Sequence, residues 1–416
     1  MMENTQHRVL VIGAGLAGCE AAWQLARRGI AVELHEMKPA KYSPAHTNEA
    51  FAELVCSNSL RSDQLENAVG LLKEELRRLG SLILACADET RVPAGGALAV
   101  DREGFSRAVT ARIRNHPNIT VVEREDDSIP DEGEVIVATG PLTSDAMANY
   151  LQAFFGEHET LHFYDAAAPL VSFESVDMNH AFFASRYDRG TPDYINCPLS
   201  EEEYHAFVQA LVSAEEAEVH GFEDKHVFEG CMPVEVMARK DNAEGTIYNL
   251  VGFQTHLKFP EQRRVFSMIP ALRQAQFLRY GKMHRNTYLN SPRLLNRYYQ
   301  FRAEARISFA GQMTGVEGYV ESAASGYVAG METARRLLGL APLDLPAETA
   351  VGALARYVSN PSVTEFQPMN VNFGIMPPLD HRVRGGKRKK NAELAQRALD
   401  VLEPLRTAAE EGVVCG

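Results

Sequence analysis

A short apolar run, Arg8-Val-Leu-Val-Ile12, ends in Gly13-Ala-Gly-Leu-Ala-Gly18, and this junction constrains the fold more than any other feature. An unbroken apolar run bounded by a turn signal reads as a buried strand. Three glycines at this spacing read as a tight turn opening a helix. Gly13 permits the turn, Gly15 lets a pyrophosphate approach the backbone, and Gly18 lets helix and strand pack closely. Cys19, Ala22, Trp23 and Ala26 share one face of the expected helix, Gly29 marks its end, and Ile30-Ala-Val-Glu-Leu-His35 reads as a second strand. Strand, helix and strand in this order make a βαβ unit, the seed of a parallel, doubly wound sheet. Glu36 closes the second strand. A carboxylate there suits a ribose 2′-hydroxyl and repels a 2′-phosphate, so FAD or NAD is favoured over NADP. The expected dinucleotide contacts are therefore Gly13, Ala14, Gly15, Leu16, Ala17, Gly18 and Glu36, with the pyrophosphate at the helix N-terminus.

The 416 residues allow two or three domains by a prior of roughly 150 residues each. Residues 1–160 read as the first segment of an FAD-binding domain. From 161 to 300 aromatics become frequent and strand-like alternation appears, as in Val171-Ser-Phe-Glu-Ser-Val176; this stretch is the expected inserted substrate domain, smaller and α+β. Residues 301–416 return to the first domain and carry a basic tail. Ile307-Ser-Phe-Ala310 is again a strand, followed by the glycine-rich Gly311-Gln-Met-Thr-Gly-Val-Glu-Gly318 and by Ala323-Ala-Ser-Gly326, read as a helix start. An early pyrophosphate loop with a second glycine loop much later resembles the two-segment flavoproteins of the glutathione reductase type, in which the late loop closes over the isoalloxazine. That resemblance selects FAD over NAD and adds Gly311, Gln312 and Gly315 to the expected cofactor contacts.

The balance of 42 basic against 55 acidic residues gives a net charge of −13, which offers no whole-molecule attraction for nucleic acid. An RNA partner needs a local basic patch. Arg382, Arg384, Lys387, Arg388, Lys389 and Lys390, interrupted by Gly385-Gly386, supply one, expected as a flexible loop that meets phosphates. The six cysteines are scattered without zinc-type spacing, so no metal site and no disulfide framework are expected. No signal peptide or membrane span is read, which makes the expected setting the cytoplasm. Cys19 fits the packed face of the first helix. Cys56, in Val55-Cys-Ser-Asn-Ser-Leu-Arg61, sits in a polar loop expected to lead into a helix N-terminus, where a thiolate is stabilised. Cys231 follows Gly230 in Phe228-Glu-Gly-Cys-Met-Pro233. His284 and Arg285, in Met283-His-Arg-Asn-Thr-Tyr288, are suited to face a heterocycle or a phosphate.

Four longer blocks carry a closer resemblance: Glu53-Leu-Val-Cys-Ser-Asn-Ser-Leu-Arg61, Phe228-Glu-Gly-Cys-Met-Pro-Val-Glu235, Val251-Gly-Phe-Gln-Thr-His-Leu-Lys258 and Gly311-Gln-Met-Thr-Gly-Val-Glu-Gly-Tyr-Val-Glu-Ser322. From Val9 to about Asn372 the chain resembles the folate- and FAD-dependent tRNA uracil-5-methyltransferases. The resemblance implies methylation of the T-loop uridine at position 54 of tRNA, with methylenetetrahydrofolate as carbon donor and NADH or NADPH as reductant. It implies tRNA, through its T-arm, as the macromolecular partner, and no obligate protein partner is expected. One stretch departs from the family pattern: Met237-Ala-Arg-Lys240 runs directly into Asp241-Asn-Ala-Glu-Gly245, where relatives carry a longer segment.

Carbon 5 of uracil is a poor nucleophile until a thiolate adds at carbon 6. Cys231 is the expected nucleophile, and Cys56, nearer the flavin, the expected aid in handling the methylene group or the carbon 5 proton. His284, Arg285, Arg382, Arg384 and Lys387 are the expected substrate contacts. The nearest alternative is a related flavin-dependent enzyme that modifies the tRNA wobble uridine. A thiol-dependent flavoprotein oxidoreductase is another, but it wants a second cysteine close to Cys56, and the sequence has none there.

Overall fold

In the computed structural model the described residues are 8–156, 159–166, 169–184, 194–217, 255, 257–281, 283–364 and 366–414. They form two compact units. The larger joins Met1–Leu161 to Thr287–Gly416, and the smaller spans His162–Asn286. The return to the larger unit therefore comes earlier than 301. The reason is packing: Leu289 and Leu295 are fully buried in the same cluster as Ile307 and Phe309.

The larger unit begins with β1 (Arg8–Ile12), α1 (Leu16–Ala26) and β2 (Ala31–Glu36). There follow β3 (Ser59–Ser62), α2 (Ala68–Arg78), α3 (Leu82–Glu89), β4 (Arg91–Val92), β5 (Ala97–Val100), α4 (Arg102–Arg114) and β6 (Ile119–Glu123). Then come β7 (Glu134–Val137) and α5 (Asp145–Phe155), and, after the smaller unit, β8 (Ile307–Phe309). Helices α6 (Tyr319–Leu337), α7 (Ala350–Val358) and α8 (Gly386–Leu402) complete the long elements.

Strands β8, β7, β1, β2 and β6 lie side by side in that order, every pair parallel. Val11 stands opposite both Leu34 and Ile136. A parallel sheet is covered on both faces, and the central strands β1 and β7 are accordingly unbroken apolar runs over Val9–Ile12 and Val135–Val137, whereas β2 carries Glu33 and His35. Ile12, Val135, Val137, Ile307 and Phe309 pack with Met147 and Leu151 of α5. Strands β3, β5 and β4 form a separate antiparallel sheet.

Helix α6 crosses α1 at very short range. A methyl group at Gly326 would lie 2.2 Å from the Ala17 carbonyl oxygen, and one at Gly330 would lie 2.6 Å from that of Ala21. Two glycines one turn apart thus let the second half of the chain lie directly on the first helix. The helix expected to start at Ala323 starts one turn earlier, at Tyr319, behind Gly318.

In the smaller unit, Glu201–Ser213 is a helix opened by a Ser200–Glu203 capping box. It packs on the helix Phe259–Phe266 through Phe207, Leu211, Val265 and Phe266. The alternation at Val171–Val176 does not make one long strand. Leu170–Val171 pairs with Phe277–Arg279, and a single 3₁₀ turn, Phe173–Ser175, follows. No helix among the described residues is long and apolar enough to cross a membrane.

Candidate active site

The carboxyl ends of β1, β2 and β7 open onto one cleft, which together with the open solvent at its mouth encloses about 1110 Å³. Its walls include Gly13, Ala14, Gly15, Leu16 and Ala17 from the first turn, Glu36 from the end of β2, and Gly311 and Gln312 from the second glycine loop. Val55, Tyr319 and Ser322 also line it. Segments almost 300 residues apart meet there because α6 rests on α1, and Gly311 is fixed by its amide donating to Ser325 Oγ at 2.7 Å.

The cleft fits a dinucleotide. No side chain caps the first turn of α1, so the amides at that helix N-terminus are available to an anion. A Cβ at Gly15 would meet no atom within 4 Å, so that glycine leaves room on the ligand side. Gly18 differs: a Cβ there would lie 1.8 Å from the Gly13 carbonyl oxygen, and its role is packing. Glu36 is buried and anchored by the Ala14 amide at 2.9 Å and the Lys38 amide at 3.0 Å. Each carboxylate oxygen has a second lone pair for a ribose hydroxyl. Behind the cleft Lys38 Nζ donates to the carbonyls of Asn48 and Ala50, tying down the 40–53 loop. Gly315 is not among the cleft-lining residues, and a Cβ there would lie 2.2 Å from the Phe366 ring.

Cys56 follows the cleft residue Val55 and is exposed. The helix N-terminus expected after it is absent; the chain continues into strand β3 instead. The thiol has a different partner, Tyr319, the first residue of α6. Cys56 N donates to Tyr319 Oη at 2.9 Å, and Sγ lies 2.8 Å from the same oxygen. Burial of the hydroxyl, reinforced by the neighbouring Cys56, pushes the phenol well above its ordinary pKa. Tyr319 therefore keeps its proton at neutral pH, and its hydroxyl stands at hydrogen-bonding distance from the sulfur, with either atom able to donate.

Strand β3, which follows the Cys56 loop, is held by buried charge. Lys73, on α2, is fully buried and donates to the carbonyls of Leu60 at 2.8 Å and Ser62 at 2.7 Å. Burial pushes its ammonium down to about 7, and the carbonyl oxygens favour the proton staying on. Arg61 pairs with the fully buried Glu321 of α6, which also accepts the Val371 amide. The thiol loop is thereby fixed from α2 and from α6. Tyr319, Lys73 and the Arg61–Glu321 pair were not among the expected site residues. The one visible signal is Lys73 itself, which interrupts the apolar face of Val69, Leu72 and Leu76.

Cys19 is buried, its Sγ donating to the Ala14 carbonyl, and burial raises its pKa well above the ordinary value; it is an inert packing thiol. Cys231 and the shortened stretch after Lys240 lie outside the described residues. His284 and Arg285 fall on the strand Met283–Leu289, with side chains outside those described. Arg382, Arg384 and Lys387 are exposed and are not among the cleft-lining residues. The basic run is not wholly a loop, because Lys387–Lys390 form the first turn of α8. There four cations meet the positive end of the helix dipole, an arrangement that favours a bound anion. Arg388 pairs with Glu66 at 3.0 Å, and Asn391 donates to the Glu66 carbonyl.

Residues 8–241 and 234–341 match the family model described as Glucose inhibited division protein A. The chain is 57% identical to the methylenetetrahydrofolate–tRNA-(uracil-5-)-methyltransferase TrmFO of Acetivibrio thermocellus, over 94% of this chain and 97% of that protein. It is 54% identical to the protein of the same name from Heliobacterium modesticaldum, over 98% and 99% respectively. Among solved structures, GidA of Aquifex aeolicus superposes with a TM-score of 0.71 at 15% identity, covering 99% of this chain and 75% of that one. That likeness is one of fold.

Proposed function

The chain belongs to the family of methylenetetrahydrofolate–tRNA-(uracil-5-)-methyltransferases, and from that premise we propose how its own residues divide the work. The enzyme methylates carbon 5 of uridine 54 in the T-loop of tRNA. Its carbon donor is methylenetetrahydrofolate, its flavin FAD, its reductant NADH or NADPH, and its setting the cytoplasm. The observation that carries the site assignment is the meeting of both glycine loops and Tyr319, the hydrogen-bond partner of Cys56, around one cleft.

The amides at the start of α1, with Gly15 beside them, hold the FAD pyrophosphate, and Glu36 holds the adenosine ribose. Gly311 and Gln312 flank the ring end. Bound FAD, once reduced, supplies the electrons that turn a one-carbon unit at the methylene level into a methyl group. Residues 162–286 take the target base, with His284 and Arg285 as contacts, while Arg382, Arg384 and Lys387 meet phosphates.

Cys231 Sγ bonds to carbon 6 of uracil, and the electron pair of the 5,6 double bond moves toward carbon 5 and the carbonyl at carbon 4. Carbon 5 then forms its bond to the one-carbon unit, the pair of that unit's double bond to its carrier nitrogen moving onto the nitrogen. Cys56 removes the proton from carbon 5, and the released pair expels the carrier nitrogen to leave an exocyclic methylene; once two electrons and a proton from the reductant have made it a methyl group, the 5,6 double bond is restored and Cys231 leaves as thiolate. Tyr319 Oη donates to the Cys56 sulfur and keeps it in its proton-accepting form. Replacing Tyr319 with Phe preserves the ring and removes that donor. A hydrogen bond to a charged partner contributes about 1.5–3 kcal/mol, so turnover is expected to fall roughly ten- to a hundredfold. Alkylation of Cys56 by iodoacetamide at pH 7 slows in parallel, and the flavin stays bound. Unchanged alkylation of that variant argues against the assignment.

The reading as a whole is tested by a visible spectrum and a methylation assay. Purified protein shows flavin absorbance, and a T-loop minihelix supplied with methylenetetrahydrofolate and NADH or NADPH gains one methyl group by mass. A carboxymethylaminomethyl group on a wobble uridine instead would select the alternative enzyme class.

A further inference from the structure

We propose that an aromatic column on the smaller unit, ending in Phe259, is a stacking seat for one unpaired base of the RNA substrate, with Arg263 holding the adjacent phosphate. The proposal rests on the reading that the substrate is RNA.

Three rings form the column. Tyr280 stacks on Phe277 at 5.3 Å between centroids with planes 13° apart, and Phe259 stacks on Tyr280 at 5.1 Å and 18°. The inner ring, Phe277, packs against the buried cluster of Phe207, Leu257 and Phe266. The outer ring does not close on anything comparable. Phe259 is 50% exposed although one of its faces is covered by Tyr280. The column is therefore anchored in a core at one end and presents a flat, oriented π-face at the other. Stacking on such a face needs no particular base, because every nucleobase has one.

Charge supports a nucleotide as occupant. Phe259 opens a helix that carries Arg263 one turn on. Lys258 is engaged by Glu215 at 2.8 Å and Arg264 by Glu261 at 2.6 Å. Arg263 is exposed and has no ion-pair partner among the described residues. An open ring and an unneutralised guanidinium within one helical turn match the base and phosphate of one nucleotide. Among the described residues, the exposed Phe173 and Phe183 meet at 6.2 Å with planes tilted by 42° and have no stacked column behind them, and the exposed Phe182 has no stacked ring partner.

The test uses the full FAD-loaded enzyme and a T-loop minihelix. The chain has one natural tryptophan, so Phe259→Trp adds a clean reporter. Its fluorescence is expected to be quenched as RNA is added, with affinity near that of the unaltered enzyme. Phe259→Ala is expected to raise the minihelix Kd and KM roughly tenfold or more, with kcat and flavin absorbance near wild type. Arg263→Gln is expected to lower the dependence of log Kd on log salt by about one phosphate contact. Wild-type turnover with no quenching and an unshifted Kd in Phe259→Ala overturns the proposal. So does an unshifted Kd accompanied by altered sedimentation, which would assign the ring to a protein contact. Failure of the unaltered enzyme to methylate the minihelix strikes the functional reading instead.

Discussion

Replacing Cys231 with Ala leaves the protein yellow and abolishes methyl transfer to a T-loop minihelix. The size of the expected loss follows from chemistry. Without a bond to carbon 6, carbon 5 of uracil has no accessible carbanion character. Losses of roughly 10³–10⁶ are usual when a nucleophile that works in concert with its partners is removed. Flavin binding is untouched because every residue lining the cleft belongs to the larger unit, outside residues 162–286. A minihelix carrying 5-fluorouridine at the target separates the two thiols. Fluorine cannot leave as a proton, so the adduct through carbon 6 is trapped at the step that Cys56 would complete. The unaltered enzyme and Cys56→Ala form that covalent complex, and Cys231→Ala does not. A complex formed by Cys231→Ala but not by Cys56→Ala would exchange the two roles. Full turnover in both variants would end the thiol mechanism.

Parts of this site were legible in the sequence because they are local. A strand, three glycines, a helix and a second strand ending in Glu36 lie within 29 residues from Arg8 to Glu36, and local order is what period and turn chemistry report. The second loop was legible for the same reason, since β8 runs straight into Gly311. What the sequence did not disclose depends on residues distant in the chain. Tyr319 was visible only as the end of a glycine-rich block, and its pairing with Cys56 arises because α6 lies on α1. The thiol setting was expected from a helix N-terminus and instead comes from a phenol, since β3 pairs with β5 and draws the chain into a sheet. Lys73 illustrates a third case. Its place on an apolar helical face was readable, but the carbonyls that hold it belong to Leu60, Arg61 and Ser62 of β3, a strand that no local pattern ties to α2.

Gly15→Ala and Gly18→Ala, three residues apart in one motif, are expected to fail in opposite ways. At Gly18 the added methyl would lie 1.8 Å from the Gly13 carbonyl oxygen and 2.9 Å from its carbon. Both contacts are backbone, and a methyl group has no rotamer by which to escape. Strand β1 and helix α1 must separate, which costs about 3 kcal/mol or more, at the upper end of overpacking penalties. The apoprotein should melt several degrees lower and the flavin be lost with the fold. At Gly15 a methyl meets nothing within 4 Å, and the backbone φ of −74° suits any residue. The folded cost is then only the poorer N-cap, about 1 kcal/mol or less. The methyl instead enters the space where the pyrophosphate approaches the helix, so the FAD Kd should rise at least about tenfold while the apoprotein Tm stays close to that of the parent. Flavin titration and thermal unfolding of the two apoproteins check both limbs. Wild-type FAD affinity in Gly15→Ala would move the pyrophosphate away from this turn, and with it the ring from the cleft that Tyr319 and Gln312 line.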